Sequence, residues 1–284
     1  MYDGHGVKGA EAVETVKKLV HAKLNEDRKK ISRMRDAYKV ENYFRDLFRS
    51  IQKKMNNQND YALSGTCAVC VLVVENKLFC INVGDSRCVL GQRKGGETKK
   101  EGERIAIEMS IDQKPTRDDE QKRIVERGGE VSEKIMGVPR VFRKNDDEPG
   151  LAVARSIGDN VAHDVGVSCD PEVFEKELDG DDSFVVIGSD GIWDVLSSCE
   201  VVGYVFNYLD EYKADKEDTV DKSLVFECRH RWEILNMFKT RYASEVCNKN
   251  QDNEGNKERN NNQNSGDIDD ITTCIFVINQ DRED

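Results

Sequence analysis

The stretch Phe184-Val-Val-Ile-Gly-Ser-Asp-Gly-Ile-Trp-Asp194 joins a short apolar run to two carboxylates. Residues 184 to 187 predict a buried strand, because the hydrophobic run is unbroken and a glycine follows it. We expect Asp190 on the turn after this strand and Asp194 one helical turn later. From these residues alone, Asp190 is either a metal ligand at the end of a strand or a turn or cap residue for a helix over 195–209.

The composition is typical of a globular protein with an acidic surface. Of the 284 residues, 37% are hydrophobic, which is enough for the core of one large domain or of two small ones. The net charge of -12 argues against binding to nucleic acids or anionic membranes, because both need a basic surface. No apolar run is long enough to cross a bilayer, and we expect no signal peptide in the first residues.

The nine cysteines are odd in number and are mostly flanked by apolar residues of predicted strands. We interpret them as reduced, buried thiols and expect a cytoplasmic or nuclear protein. Cys67 and Cys70 have the spacing of a zinc or redox pair, but no second pair accompanies them and they lie within a predicted strand. We expect both to be core residues.

The N-terminal part predicts helices followed by strands. Residues 2–6, Tyr-Asp-Gly-His-Gly, predict a tight turn because two glycines surround the histidine. Apolar residues spaced three and four apart predict helices over 10–24 and 41–55. Short apolar runs then predict a β-meander with strands at 65–74, 77–82 and 87–91.

The C-terminal part mixes further helices and strands with polar segments. Before the opening stretch we expect a strand at 105–107, a helix over 117–127, a loop-rich flap over 130–170 and a strand at 173–178. After it we expect helices over 195–209 and 232–246, a solvated segment over 210–231 between them, and a last strand over 271–278. The tract 248–265 is rich in Asn, Lys and Glu and predicts a disordered insertion.

Acidic residues stand at the ends of apolar segments at four places in the chain. They are Asp3, Asp112, the pair Asp190 and Asp194, and the cluster Asp267, Asp269 and Asp270. Carboxylates buried close together need cations, and hard oxygen ligands favour Mg²⁺ or Mn²⁺ over zinc. Spacing alone leaves open whether these residues form one metal centre or are independent turn and cap residues.

Six short motifs follow one another along the chain. They are Tyr2-Asp3-Gly4-His5-Gly6, then Ser64-Gly-Thr66 with Asn82-Val-Gly84-Asp85-Ser86-Arg87, then Asp112-Gln-Lys-Pro115, Leu151-Ala-Val-Ala-Arg155-Ser-Ile-Gly-Asp159, Ser189-Asp190-Gly191-Ile-Trp193-Asp194 and Asp269-Asp270-Ile-Thr272. In sequence and in order they resemble the motifs of the metal-dependent type 2C protein phosphatases, which dephosphorylate phosphoserine and phosphothreonine, and the resemblance covers essentially the whole chain. Each motif is weak by itself, and their shared order makes the resemblance specific.

The resemblance implies an α+β fold, an α-β-β-α sandwich of two antiparallel sheets flanked by helices, in a single catalytic domain over 1–284. It implies two Mg²⁺ or Mn²⁺ ions in the cleft at one end of the sheets and a third, weaker one. The two ions would activate the water that attacks phosphorus, and His5 would protonate the leaving oxygen. Substrates would be phosphorylated proteins, and we expect a monomer. The implied ligands are Asp3, the Gly4 carbonyl, Asp190 and Asp269 for the first two ions, with Asp112 and Asp194 for the third.

The chain also departs from the family pattern. The strand and the phosphate-binding arginine that precede the first motif in the family have no counterpart, so we expect a domain that is incomplete at its N-terminus. Gln113 replaces a histidine, Val7 a glycine and Asp270 an asparagine. Loss of the arginine would lower turnover, so a catalytically impaired regulatory or binding module of the same fold is the alternative. A metal nuclease is disfavoured because no basic face would hold its substrate.

Overall fold

The structure, a computed structural model, describes residues 1–57, 59–95, 102–133, 137–211, 219–251 and 271–278, with the side chains of the last helix described as far as Asn236. Within these residues the strands are β1 (Tyr2–His5), β2 (Gly65–Val74), β3 (Lys77–Val83), β4 (Arg87–Lys94), β5 (Glu103–Glu108), β6 (Gly129–Ser132), β7 (Arg140–Arg143), β8 (Pro149–Leu151), β9 (Ile157–Gly158), β10 (Glu172–Glu177), β11 (Asp182–Gly188) and β12 (Thr273–Val277). The helices are α1 (Gly9–Glu26), α2 (Arg28–Ile31), α3 (Ala37–Met55), α4 (Asp118–Glu126), α5 (Asn160–His163), α6 (Asp190–Trp193), α7 (Ser198–Glu211) and α8 (Val220–Gln251).

Two antiparallel sheets form the centre of the molecule. The first has the strand order β1-β2-β3-β10, with β9 pairing the start of β2, and the second has the order β12-β11-β4-β5. Apolar side chains from both sheets meet between them, and the buried ones include Val69, Leu78, Cys80, Cys88, Leu90, Val185 and Ile187. A smaller sheet, β6-β7-β8, lies in the predicted flap over 130–170, which is therefore less loop-rich than its sequence indicates.

Helices cover the outer face of each central sheet. Ala12, Val16 and Val20 recur every four residues along α1, so one face of this helix is apolar and packs with α3 on the first sheet. The Asp36 side chain accepts a hydrogen bond from the Lys39 backbone N–H at 2.9 Å and caps the start of α3. Helices α6, α7 and α8 pack on the second sheet. The predicted α-β-β-α sandwich is confirmed.

The turn predicted at residues 2–6 is wrong, because Tyr2–His5 form strand β1. Asp3 pairs with Cys67 and His5 pairs with Gly65 in an antiparallel register. The Thr66 hydroxyl also donates to the Asp3 carbonyl at 2.9 Å. The chain turns afterwards at Gly6, where φ is +79°. Backbone pairing with β2 therefore overrides the local preference of glycine for turns.

The predicted β-meander is also wrong, because its third strand belongs to the other sheet. Strands β2 and β3 pair in the first sheet, whereas β4 pairs with β11 and β5 in the second. Residues 84–86 therefore cross between the sheets. A Cβ on Gly84 would lie 2.3 Å from Cys67 Sγ, so this crossing packs directly against β2. A hairpin and a crossing both need a short turn with glycine, and apolar patterning does not distinguish them.

The C-terminal helices differ from the predicted ones. Ser197 and Glu200 form a reciprocal cap, with hydrogen bonds of 2.9 and 3.3 Å, that starts α7 and separates it from α6. The segment 210–231 is not solvated throughout, because α8 begins at Val220 and buries Leu224 and Cys228 against the second sheet.

Helix α8 ends at Gln251, so the first residues of the predicted disordered tract are helical, and 252–265 lie outside the described residues. Across the described ranges, none of the helices has an apolar stretch long enough to cross a bilayer.

Candidate active site

His5, the predicted proton donor, lies at the end of β1 and contacts Asp159. The distance from His5 Nε2 to Asp159 Oδ2 is 2.6 Å, and the two side chains are 29% and 4% exposed. Burial lowers the pKa of His5, but the charge and hydrogen bond of Asp159, with the charges of Asp85 and Asp3, outweigh it and the pKa is raised. The imidazole is therefore protonated over a wider pH range than a free histidine and can donate a proton.

Asp159 is held in place by the surrounding backbone. It has φ +45°, in the left-handed region, and its N–H donates to the Ser64 carbonyl at 2.9 Å. The buried Gln52 side chain bonds both the N–H and the carbonyl of the preceding Gly158, each at 2.8 Å. Asp159 is the last residue of one of the quoted sequence motifs. Its partner His5 is 154 residues away in the chain, so the local sequence pattern does not reveal that Asp159 orients His5.

Gly65 provides the space that Asp159 occupies, and this leads to a testable prediction. A Cβ at Gly65 would lie 2.2 Å from Asp159 Oδ2 and 2.8 Å from the Ile157 carbonyl. We expect Gly65→Ala to lower the free energy of unfolding by about 1 to 3 kcal/mol, as overpacking does. Denaturant titration measures this.

Gly203 is the matched control for Gly65→Ala, because a Cβ there meets nothing within 4 Å and the residue lies inside α7. Gly203→Ala should leave stability unchanged or raise it by up to about 1 kcal/mol. Equal effects of the two substitutions would contradict the role given to Gly65.

Asp190 and Asp194 follow the end of β11, as predicted. Asp190 is the first residue of α6 and is half-buried, while Asp194 is exposed. The Trp193 indole donates to the Gly188 carbonyl at 2.7 Å, and the Asp194 N–H donates to the Asp190 carbonyl at 2.9 Å. These bonds fix the short helix against the strand that precedes it.

Asp269 and Asp270 lie outside the described residues. The nearest described part of their motif is Thr272, whose backbone exchanges two hydrogen bonds with Ser189. The Ser189 N–H donates to the Thr272 carbonyl at 3.0 Å, and the Thr272 N–H donates to Ser189 Oγ at 3.1 Å. The start of β12 is thereby joined to the residue before Asp190.

Asp85, which we did not single out from the sequence, lies at the crossing between the sheets. Its carboxylate is buried and accepts hydrogen bonds from Lys114 Nζ at 2.5 Å and from Cys67 Sγ at 3.3 Å. The side chain of Gln113, the residue that replaces the family's histidine, accepts from the Gly84 N–H at 2.6 Å and so ties this crossing to Lys114. From the sequence, Asp85 could have been recognised as a site residue because it is a carboxylate in the turn between two predicted strands.

Several of these carboxylates act electrostatically on Lys114 or His5. Burial lowers the pKa of Lys114, but the charge and hydrogen bond of Asp85 and the charges of Asp194 and Asp190 raise it overall. Asp85 and Asp3 both act on His5 in the same way. Asp85 thus acts on His5, together with Asp3, and on Lys114, together with Asp190 and Asp194. Gly4, between Asp3 and His5 in the chain, is exposed, and a Cβ there would lie 2.7 Å from the Gly9 carbonyl.

Asp112, the remaining predicted ligand, is bound by an arginine. Both carboxylate oxygens accept hydrogen bonds from Arg87, at 2.9 and 2.8 Å. The ion pair joins the loop before α4 to the first residue of β4.

A second acidic group could hold a metal ion by its geometry. One oxygen from each of Asp119, Glu120 and Glu172 lies within 4.8 Å of the others, the one such group of three found among the described residues. Arg117 bonds all three carboxylates, and Arg155 bonds Glu120 and Glu172. These guanidinium groups already neutralise the group, and none of the predicted ligands belongs to it.

Comparison with protein families gives a match over most of the chain. A family model described as Protein phosphatase 2C matches residues 1–237. Probable protein phosphatase 2C 64 of Oryza sativa subsp. japonica is 33% identical over 248 residues, which are 86% of this chain and 54% of the relative. Probable protein phosphatase 2C 35 of Arabidopsis thaliana is 33% identical over 231 residues, covering 74% and 63%. The chain therefore spans a little over half the length of these relatives.

Solved structures show the same fold. The crystal structure of serine-threonine phosphatase 2C from Toxoplasma gondii superposes with a TM-score of 0.66 at 22% identity, covering 83% of this chain and 79% of that one. The structure of a C. elegans sex determining protein gives a TM-score of 0.69 at 18% identity, covering 97% and 55%. At these sequence identities the structural similarity establishes the fold alone.

Proposed function

Since the chain belongs to the protein phosphatase 2C family, we propose that it hydrolyses phosphoserine and phosphothreonine in proteins, in a reaction that depends on divalent metal ions. The observation that carries this proposal is His5, which is paired at 2.6 Å with the buried Asp159 and is acted on by the charges of Asp85 and Asp3. Asp85 also binds Lys114, on which the charges of Asp190 and Asp194 act. No observation among the described residues favours the alternative of an impaired regulatory or binding module.

The side chains at this site fit hard divalent cations. The Cys67 thiol donates a hydrogen bond to Asp85 at 3.3 Å, and burial and the charges of Asp85 and Asp3 raise its pKa, so this sulfur is held as a thiol. The predicted ligands offer carboxylate and carbonyl oxygens, which suit Mg²⁺ or Mn²⁺. Asp3, the Gly4 carbonyl, Asp190 and Asp269 would hold two ions. When bound, such ions lower the pKa of water and neutralise phosphate charge.

His5 is the proposed proton donor to the leaving serine or threonine oxygen. An alkoxide is a poor leaving group, so a proton is needed as the bond to phosphorus breaks. Asp159 holds the imidazole through Nε2 and stabilises its protonated form, which leaves Nδ1 as the donor to substrate. The pairing of His5 with a carboxylate that is itself fixed by backbone bonds keeps the ring in one orientation.

Several finer predictions remain proposals. They are the third ion at Asp112 and Asp194, the choice between Mg²⁺ and Mn²⁺, the monomeric state and the cytoplasmic or nuclear location. The acidic charge of the chain supports the absence of nucleic-acid and membrane partners. Phosphorylated proteins are the proposed substrates.

Metal removal tests the proposed activity directly. We expect the chain treated with a chelator to hydrolyse a phosphothreonine peptide at least about a hundredfold more slowly than the chain with Mn²⁺ or Mg²⁺, because phosphate charge is then unneutralised and water is not activated. Phosphate release is the measurement, and restoration by added metal after chelator removal is the control. Turnover that is unaffected by the chelator would contradict the proposal.

A further inference from the structure

Arg87 binds one of the predicted metal ligands from a fixed position. Its Nε and one terminal nitrogen donate to the two oxygens of Asp112 at 2.9 and 2.8 Å, the bidentate geometry that makes arginine-carboxylate pairs strong. The two side chains are 20% and 18% exposed. Both oxygens of Asp112 are therefore directed at the guanidinium and partly shielded from water.

The other sides of the guanidinium are held as well. Its carbon lies 5.2 Å from the centre of the Trp193 ring, and its third nitrogen donates to Ser198 Oγ at 3.1 Å. Ser198 Oγ in turn donates to Glu108 at 3.1 Å. Arg87 thus contacts the aromatic residue directly before Asp194 and the first turn of α7.

Asp194, the second predicted ligand of the weak third ion, directly follows the aromatic residue on which Arg87 lies. Arg87 covers the Trp193 ring, and the Asp194 N–H donates to the Asp190 carbonyl at 2.9 Å, which fixes Asp194 at the end of α6. The hydrogen bonds that Arg87 donates to Asp112 and the charge of Asp194 both raise the pKa of Arg87. Arg87 therefore contacts Asp112 directly and lies next to the residue that precedes Asp194.

We propose that Arg87 supplies the positive charge that a third divalent ion would otherwise supply between Asp112 and Asp194. This inference rests on the proposed metal-dependent function. A divalent ion binds Asp112 after Arg87 has released it, so the ion pair and the third ion exclude each other. Arg87 then sets the affinity of the weakest ion, while the ions at Asp3 and Asp190 bind independently of it.

The test is a titration of the full chain with Mn²⁺, in which the electron paramagnetic resonance signal of free Mn²⁺ measures how much of the ion is bound. We expect Arg87→Met to bind the weakest Mn²⁺ about tenfold more tightly than the wild type, or to gain a weak ion that the wild type lacks, because Asp112 is freed from a charge-assisted ion pair. The tighter sites should be unchanged. Arg87→Lys, which keeps the charge but loses the bidentate geometry, should give a smaller increase and serves if Arg87→Met does not fold.

Arg93 provides a matched control on the same strand. It also makes a bidentate pair, with Asp210 at 3.0 and 2.8 Å, and it stacks on Phe206 at 4.3 Å. Arg93→Met should therefore cost comparable stability and leave every Mn²⁺ affinity unchanged. In an Asp112→Asn background, Arg87→Met should no longer change Mn²⁺ binding.

The outcomes separate this inference from the proposed function. If the wild type binds Mn²⁺ and turns over phosphopeptide, but neither Arg87 variant changes the weakest Mn²⁺ affinity or the number of ions, the role of Arg87 is overturned and the function stands. An equal gain in Arg93→Met, or a gain that survives Asp112→Asn, also overturns it. Absence of Mn²⁺ binding in every variant overturns both.

Discussion

Asp190→Asn should lower kcat/KM for a phosphothreonine peptide by about a hundredfold or more, because an amide oxygen binds a hard divalent cation much more weakly than a carboxylate does. Asp190 stands at the end of β11, half-buried, with its neighbours Gly188 and Trp193 joined by a hydrogen bond of 2.7 Å. The substitution preserves the shape of the side chain, so the site should remain assembled. Phosphate release at several Mn²⁺ concentrations measures the effect.

Asp118 offers a matched control for this substitution. Like Asp190, it is the first residue of a helix, and it is exposed at the start of α4. Asp118→Asn removes the same charge from the same helical position and should leave turnover within about twofold of the wild type. Thermal unfolding of both variants checks that each is folded. A folded Asp190→Asn variant with wild-type activity would refute the proposed metal centre.

His5→Gln should show a loss that depends on the leaving group. For a phosphothreonine peptide we expect kcat to fall by about a hundredfold to ten-thousandfold, the range for removal of a general acid. For para-nitrophenyl phosphate the loss should be within about tenfold, because nitrophenolate leaves without a proton. Asp159→Asn should show the same dependence on the leaving group with a smaller loss, since Asp159 acts through its 2.6 Å contact with His5.

His21→Gln is the control for the histidine substitution, because His21 is exposed on α1 and bonds Asn25 at 3.4 Å, away from the site. This substitution should leave kcat unchanged for both the phosphothreonine peptide and para-nitrophenyl phosphate. Equal losses on the two substrates in His5→Gln would instead assign His5 to binding or folding rather than to proton donation. Measuring kcat at saturating substrate separates a loss of proton donation from a loss of substrate binding.

The candidate site was partly predictable from the sequence. Asp190 is recognisable because it comes shortly after the apolar run 184–187, and Asp3 and His5 because they lie in a short glycine-containing motif. Asp85 and Asp159 were missed as site residues although both belong to quoted motifs. Their partners, Lys114 and His5, are 29 and 154 residues away, and no local pattern encodes such contacts.

What the sequence by itself determined is the set of elements whose apolar residues follow a local period. The helices α1 and α3 and the strands β2, β3 and β11 belong to this set. The reason is that an amphipathic face depends on neighbours three or four residues apart, and a buried strand depends on its own apolar run. The order of the family motifs is likewise read from the sequence alone.

The tertiary structure alone decided the pairing of β1 with β2, the crossing at 84–86, the burial of Leu224 and Cys228 in α8, and the ion pair of Arg87 with Asp112. Each depends on surfaces that come together only when the two sheets pack. Backbone pairing and burial there outweigh the local preferences of glycine and of charged segments. The same packing brings Asp190 and Asp194, at the end of the opening stretch, within electrostatic range of Lys114, the partner of Asp85.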